Sequence, residues 1–420
     1  MSKKVFFPYK KERVILSDIL PYEVPLIFSN RSFYRALVKY KIDLSITESN
    51  YIISWDKNTP EYLSIYFSIL FGKNYSKKLL TDNKIIIKDN NPYNIPYTYN
   101  ILHKKNRYRE LSIIHPFQQE LCIDFYNKYK DLMLYYTNLS NFSLRKPVRI
   151  SKFIYYKDAF HLKNFDDNPV TCIEEDGKDY ENIKSFFVYK KYGNIYKFYE
   201  SSEYLKAEFK FSHLIKMDIS SCFDSIYTHS IAWAVYGKEY VKKYLTKIEK
   251  SFPGMFDKLV RNMNHKQTNG ILIGPEFSRI FAEIILQSID VKLENKFIKE
   301  KIYNQKDYQI FRYIDDYFIF YNDTYLGDKI IKELGLLLKD FNLHFNDSKR
   351  EDYDRPIITN LSITKEKIKD LLEDAICYNL EKMENDDENN DIKWIGNIYI
   401  NSNKMKTKFR TILLETSVEY

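Results

Sequence analysis

The chain has 420 residues, with 65 Lys and Arg against 57 Asp and Glu and a net charge of +8 at neutral pH. That length has room for several lobes around more than one core. The basic excess is small, so its placement says more than its sum. No run of eighteen or more apolar residues occurs, which excludes a hydrophobic membrane-spanning helix. The opening MSKKVFFPYKKERV lacks the apolar region and cleavage site of a secretory signal. Cys122, Cys172, Cys222 and Cys377 are too scattered for a disulfide framework or a zinc site. A cytoplasmic protein with reduced thiols and no membrane partner is expected.

In chain order, a basic tail (Lys3, Lys4, Lys10, Lys11, Arg13) leads into an apolar stretch punctuated by Pro21 and Pro25. The pattern predicts a helix starting at Ser29 or Asn30, another over 61–72, and a loop over the Asn- and Pro-rich 81–100. HKKNRYRELSIIHP then gathers Lys104, Lys105, Arg107 and Arg109 around Tyr108. It leads into an alternating strand at 111–114 and a helix over 117–133. Arg145, Lys146 and Arg149 follow in NFSLRKPVRI. Cations on a hairpin and a neighbouring loop suit phosphate; a solvated basic surface fits the same residues. Residues 151–210 read as an insertion with a surface loop at 164–182. Beyond it, aromatics alternate with lysines, as a half-buried hairpin or a surface for stacking bases. Most of those rings are expected to pack in the core.

A buried strand is predicted over 213–219, ending in Asp218, then a turn and a helix through 229–244. Gly270 and Gly274-Pro275 form a turn before a long helix carrying Phe281, Ile284, Ile285, Ile289 and Leu293 at helical spacing. Ser278, Arg279 and Glu283 lie near its start. Residues 311–321, FRYIDDYFIFY, read as a tight hairpin of strand-forming residues with Asp315 and Asp316 at its tip. A helix over 326–341 and a short strand and turn reach Lys349. The tail holds a helix over 365–382, a solvated acidic run at 384–391 and a basic end.

Two carboxylates a few ångströms apart repel by about 4 kcal/mol at intermediate dielectric. A protein holds such a pair by protonating one acid or by binding a cation. The cation needs a third acid, and Asp218 is available at a strand end; its plain alternative is a turn aspartate. Strand, helix, hairpin, helix and strand in that order make a ferredoxin-like sheet. On it, neighbouring strand ends bring Asp218 to Asp315. Such carboxylates can hold two Mg²⁺ ions about 4 Å apart for in-line phosphoryl transfer, with Mn²⁺ as the alternative ion.

Asp218 with Phe223 five residues on, the Gly270–Pro275 turn before a helix, and Tyr313-Ile314-Asp315-Asp316 resemble motifs A, B and C of reverse transcriptases. The resemblance covers roughly residues 100–350. It implies an α+β right-hand polymerase fold with fingers, a ferredoxin-like palm and a small helical thumb or C-terminal region. The implied domains are an N-terminal helical extension (1–100), fingers with an insertion (101–210), a catalytic palm (211–354) and a thumb-like or helical end (355–420).

Carried over residue by residue, Asp218, Asp315 and Asp316 correspond to the metal-binding catalytic carboxylates. Lys349 corresponds to the lysine that protonates departing pyrophosphate. Phe223 corresponds to the ring that excludes a ribose 2′-hydroxyl, with simple core packing as its plain alternative. Arg109, with Lys104 or Lys105, corresponds to a contact with the incoming dNTP triphosphate. Arg145 and Gly274 also fall in nucleotide-binding motifs. The chain departs from the common motif B in reading Leu272-Ile273-Gly274, without a glutamine.

FSLRKP, DISSCFDSIYTHSIAWA and IGPEFSRIFAEI resemble the abortive-infection and unknown-group reverse transcriptases of bacterial antiphage defence, the DRT clade. That likeness implies an RNA template, a DNA product, and a dedicated non-coding RNA, a second defence protein or a homo-oligomer as partner. A template-independent or protein-primed polymerase stays open, with Tyr420 among the possible primers. So do an RNA-dependent RNA polymerase and a catalytically silent RNA-binding scaffold.

Overall fold

The structure is a computed structural model. It describes residues 3–6, 9–46, 50–56, 62–71, 83–87, 93–104, 107–151, 154–157, 185–189, 192–382, 394–400, 405, 406, 408, 409, 411 and 412. The chain divides into two compact units, Met1–Ala207 with Ile215–Glu351, and Glu208–Leu214 with Asp352–Tyr420.

The centre is a four-stranded sheet. Its spatial order is Tyr308–Tyr313, Asp316–Tyr321, His213–Asp218, Glu351–Asp354. Numbered along the chain, that is second, third, first, fourth, with helices between first and second and between third and fourth. This is the ferredoxin-like arrangement expected from the sequence. The hairpin pairs Tyr308 with Tyr321 through to Tyr313 with Asp316, leaving Ile314 and Asp315 as a two-residue turn. Such turns need a left-handed backbone at the first central residue, a place usually filled by Asn or Gly. Ile314 takes it at φ +59°; for a β-branched side chain this is strained.

The helix Glu276–Lys299 buries Ile284, Ile285, Ile289 and Leu293, and shares its apolar core with Ile310 and Ile319 of the hairpin. Each fully buried side chain of this size contributes about 1.5–3 kcal/mol. On the other side of the hairpin, the Phe198 ring lies 5.0 Å from Phe311 and 5.3 Å from Phe318, and Tyr204 lies 5.7 Å from Phe320. Phe198 and Tyr204 belong to the helices Ile195–Tyr199 and Ser202–Lys210. Of the half-buried hairpin expected from the aromatic–lysine alternation, Phe187–Tyr189 is a strand, paired with Pro147–Ile150, and the rest is corrected to these helices. Their buried rings pack in the core, as expected of most of them.

Other expectations are corrected in the same way. The 81–100 stretch is not all loop: Lys84–Ile87 is a strand, pairing with Tyr51–Ser54, and Tyr97 begins another. KIII, one Lys and three β-branched Ile, is too short a signal to stand out among Asn and Pro. The N-terminal extension is therefore mixed, with helices Arg31–Lys39 and Tyr62–Phe71 beside a three-stranded sheet. Of the two residues expected to start the first of these helices, Ser29 accepts from the Arg31 N–H at 3.2 Å, whereas Asn30 makes no side-chain cap. Its amide donates to the Ile15 carbonyl and the Gln119 side chain. The helix expected over 229–244 is two helices parted at Gly237, φ +84°. In the second unit the helix is Asn360–Ala375, followed by an antiparallel hairpin of Ile376–Lys382 and Trp394–Ile400. The C-terminal region is accordingly not helical throughout. The 164–182 loop, the acidic run at 384–391 and Tyr420 lie outside the described residues. Among the described residues no helix is long and apolar enough to cross a membrane.

Candidate active site

Asp218 ends its strand beside the hairpin tip. The next residue, Ile219, donates its N–H to the Asp315 carbonyl at 3.2 Å, and Asn346 donates its own to the Asp218 carbonyl at 2.9 Å. The acids that stand almost a hundred positions apart in sequence thus meet through neighbouring strands. One Asp218 oxygen, Oδ1, is buried without a hydrogen-bond partner; the other accepts from the Lys349 ammonium. Burial raises the Asp315 carboxyl, and the charge of Asp218 raises it further against Arg109 and Lys349. Asp316 is pushed up to about 7 by burial, then by Asp315 and Asp218. A raised carboxyl favours folding while it keeps its proton. That stability is complete below the ordinary value of 3.8 and is lost as pH rises through about 7.

These observations bear on a cation. A buried, unpartnered carboxylate oxygen with two further carboxyls nearby is a hard-oxygen donor set suited to Mg²⁺ or Mn²⁺. Among the described residues no three acidic, His or Cys side chains stand close enough to hold an ion as they are. The Lys349 ammonium supplies positive charge at Asp218. The donor set therefore fits a divalent ion in kind, with the unpartnered Asp218 oxygen and the electrostatically coupled Asp315 and Asp316 carboxyls as its would-be ligands.

Around the acids, Phe223 sits in the short helix Cys222–Ser225, half-buried against the core, and its carbonyl accepts from Ile271 N–H at 2.9 Å. That bond ties the Asp218 turn to the glycine turn. Gly274 has φ +121°, and a Cβ there would stand 2.9 Å from the Pro21 ring carbon. The close neighbour at this glycine is thus the chain's own Pro21, where the sequence pattern suggested a substrate. Arg109 is exposed on the strand Arg107–Ile113, in electrostatic reach of Asp315. Arg145 is committed within the protein: its guanidinium grips Glu276 in two bonds of 2.6 and 3.0 Å and lies 4.5 Å from the Tyr189 ring. Burial alone would raise Glu276, but Arg145 and Arg279 outweigh it and hold the carboxyl low. Lys105 lies outside the described residues.

One group escaped the sequence reading. Arg312, fully buried, donates to Glu283 at 2.8 and 3.0 Å, to Asp290 at 2.9 Å and to the Ile314 carbonyl at 2.9 Å. Burial opposes its charge, yet Asp290 and Glu283 keep the guanidinium protonated. Tyr317 donates to Asp290 at 2.9 Å and Gln287 to Glu283 at 2.7 Å, completing the network. It pins the strained Ile314 turn, and hence the hairpin tip, to the long helix. The signal was present: Glu283, Gln287 and Asp290 share one helical face, and a lone cation stands in an aromatic strand.

A family model described as reverse transcriptase (RNA-dependent DNA polymerase) matches residues 168–396, more than half of the chain. No curated protein matches it. Among solved structures, the chain is similar to apo telomerase from Candida tropicalis, at 12% identity over 64% of this chain and 46% of that one, with a TM-score of 0.37. It is similar also to telomerase from Candida albicans in complex with a TWJ fragment of telomeric RNA, at 12% identity over 63% of this chain and 43% of that one, with a TM-score of 0.34. The chain spans less than half the length of those two proteins.

Proposed function

Because the chain belongs to the reverse transcriptase family, we propose that it copies RNA into DNA at the site formed by Asp218, Asp315 and Asp316. The observation that carries this reading is the Ile219–Asp315 backbone bond beside an unpartnered Asp218 oxygen. Mg²⁺ bound there, or Mn²⁺ in its place, would lower the pKa of the attacking 3′-hydroxyl and offset the charge on pyrophosphate.

The chain's own residues do the rest. The three carboxylates would hold the ions and orient the primer end. Arg109, with Lys105, steers the triphosphate. Lys349, whose ammonium donates to Asp218, would give a proton to the leaving pyrophosphate. The Phe223 ring closes the space a 2′-hydroxyl would need. Gly274, close to Pro21, and Arg145, paired with Glu276, would complete the nucleotide-binding surface. We place the fingers at 101–210, the palm at 211–354 and a thumb-like region at 355–420. The likeness to the DRT clade supports a cytoplasmic role in antiphage defence, working with a non-coding RNA, a second protein or further copies of the chain.

Primer extension on a defined RNA template tests this. The expected product is DNA complementary to the template, made from dNTPs and abolished by chelation of the metal. In the same assay Phe223→Val should raise ribonucleotide use relative to deoxynucleotide use by roughly 10–100-fold. Incorporation that ignores the template, or sugar selection unmoved by the substitution, contradicts the respective assignment.

A further inference from the structure

The helices that follow the Asp218 turn carry a surface with no part in the chemistry above. Ser230–Tyr236, Lys238–Lys243 and Leu245–Glu249 run in succession. Tyr236, Tyr240 and Tyr244 recur at every fourth position. Despite the break at Gly237 their rings stay in a row, with centroids 6.1 Å apart for the first pair and 4.8 Å for the second. These rings are not the local core: Ile231, Ala232, Val241 and Ile248 are the buried apolar residues of the segment, whereas Tyr240 is 52% exposed and Leu245 60%. Tyr135 is 60% exposed at the end of the helix Pro116–Tyr136, its ring 5.0 Å from Tyr136, which is in electrostatic reach of Tyr236.

Cations edge the row. The ammoniums of Lys243 and Lys247 lie 5.5 and 5.4 Å from the Tyr244 ring, and that of Lys238 lies 4.9 Å from Trp233. Residues 236–250 hold five lysines and two glutamates, so this short stretch carries a net +3 of the chain's +8. Like charges gathered on one face attract a polyanion. Exposed rings beside them offer faces on which bases stack whatever their sequence. A purely acidic protein would use the lysines and leave the tyrosines without a role.

We propose that this row binds single-stranded RNA away from the carboxylate site; the choice of RNA rests on the RNA-directed reading above. The experiment is fluorescence anisotropy of the full chain with a labelled twenty-nucleotide oligouridylate. A variant combining Tyr240→Leu, Tyr244→Leu, Lys243→Gln and Lys247→Gln should bind at least roughly 30-fold more weakly, at about fivefold or more per lost stacking ring. The slope of log affinity on log salt should become shallower by about 1.4, because two phosphates no longer meet an ammonium. Tyr240→Trp with Tyr244→Trp, which keeps stacking faces, should retain the parent affinity and guards against misfolding. Extension of a short annealed RNA–DNA hybrid should be unchanged in all of these. Asp315→Asn should bind the oligouridylate as the parent does, so the result does not depend on polymerisation. A parent that fails to bind, or a quadruple variant that binds equally well, overturns the proposal. So does tighter binding of oligothymidylate than of oligouridylate, lost in the quadruple variant, which would give the row to the DNA product.

Discussion

Asp218→Asn and Asp315→Asn should each lower dNTP incorporation by at least about 10³-fold, equivalent to about 4 kcal/mol of barrier, while the protein stays folded. The amide keeps the size of the carboxyl and loses the charge that holds a divalent ion. Stability should not fall, because the acids repel one another in the folded protein: burial and the neighbouring carboxylates raise both Asp315 and Asp316. Removing one charge relieves that repulsion, so the urea midpoint of the metal-free variant should equal or exceed that of the parent. Steady-state incorporation and urea unfolding on the same preparations check both halves. Undiminished incorporation would leave a scaffold that binds nucleic acid without copying it.

Arg312→Met should be the most destabilising single change in the sheet, at about 3–5 kcal/mol. The loss comes less from the ion pair itself than from what is stranded by its removal. Glu283 and Asp290 are 7% and 0% exposed at the side chain, and neither can reach water to replace the guanidinium. The Ile314 carbonyl also loses its donor, and with it the restraint on a left-handed β-branched turn. Combining Arg312→Met with Glu283→Gln and Asp290→Asn should recover most of the loss, since neutral amides tolerate burial better than unpaired carboxylates. The urea midpoints of the single and triple variants measure this. A single variant within about 1 kcal/mol of the parent would mean that the network contributes little.

The central sheet was legible because its signals are local and strong. FRYIDDYFIFY can hardly be anything but a hairpin, and the order strand, helix, hairpin, helix leaves few topologies. Asp218 was legible because a polar residue closing an apolar run marks a strand end. Roles that depend on which neighbour a long side chain chooses were less so. Arg145 and Arg109 look alike in sequence, yet one is locked on Glu276 and the other is exposed near Asp315. Gly274 announced a close approach without saying of what; Pro21 lies far away in the chain. The Ile195–Tyr199 and Ser202–Lys210 helices escaped because alternating aromatics and lysines fit a period of two about as well as one of 3.6 over so few residues. Arg312 escaped for a different reason. Its partners come from a helix more than twenty positions earlier, and only the packed fold brings them together.

Counting divalent ions reaches the account's foundation most directly. Mn²⁺ bound per chain, read by electron paramagnetic resonance in the presence of a dNTP, should approach two for the parent. Asp218→Asn should remove at least one of them. Two ions bound equally by parent and variant would contradict the account, because the cation would then lie somewhere other than between Asp218 and the hairpin tip.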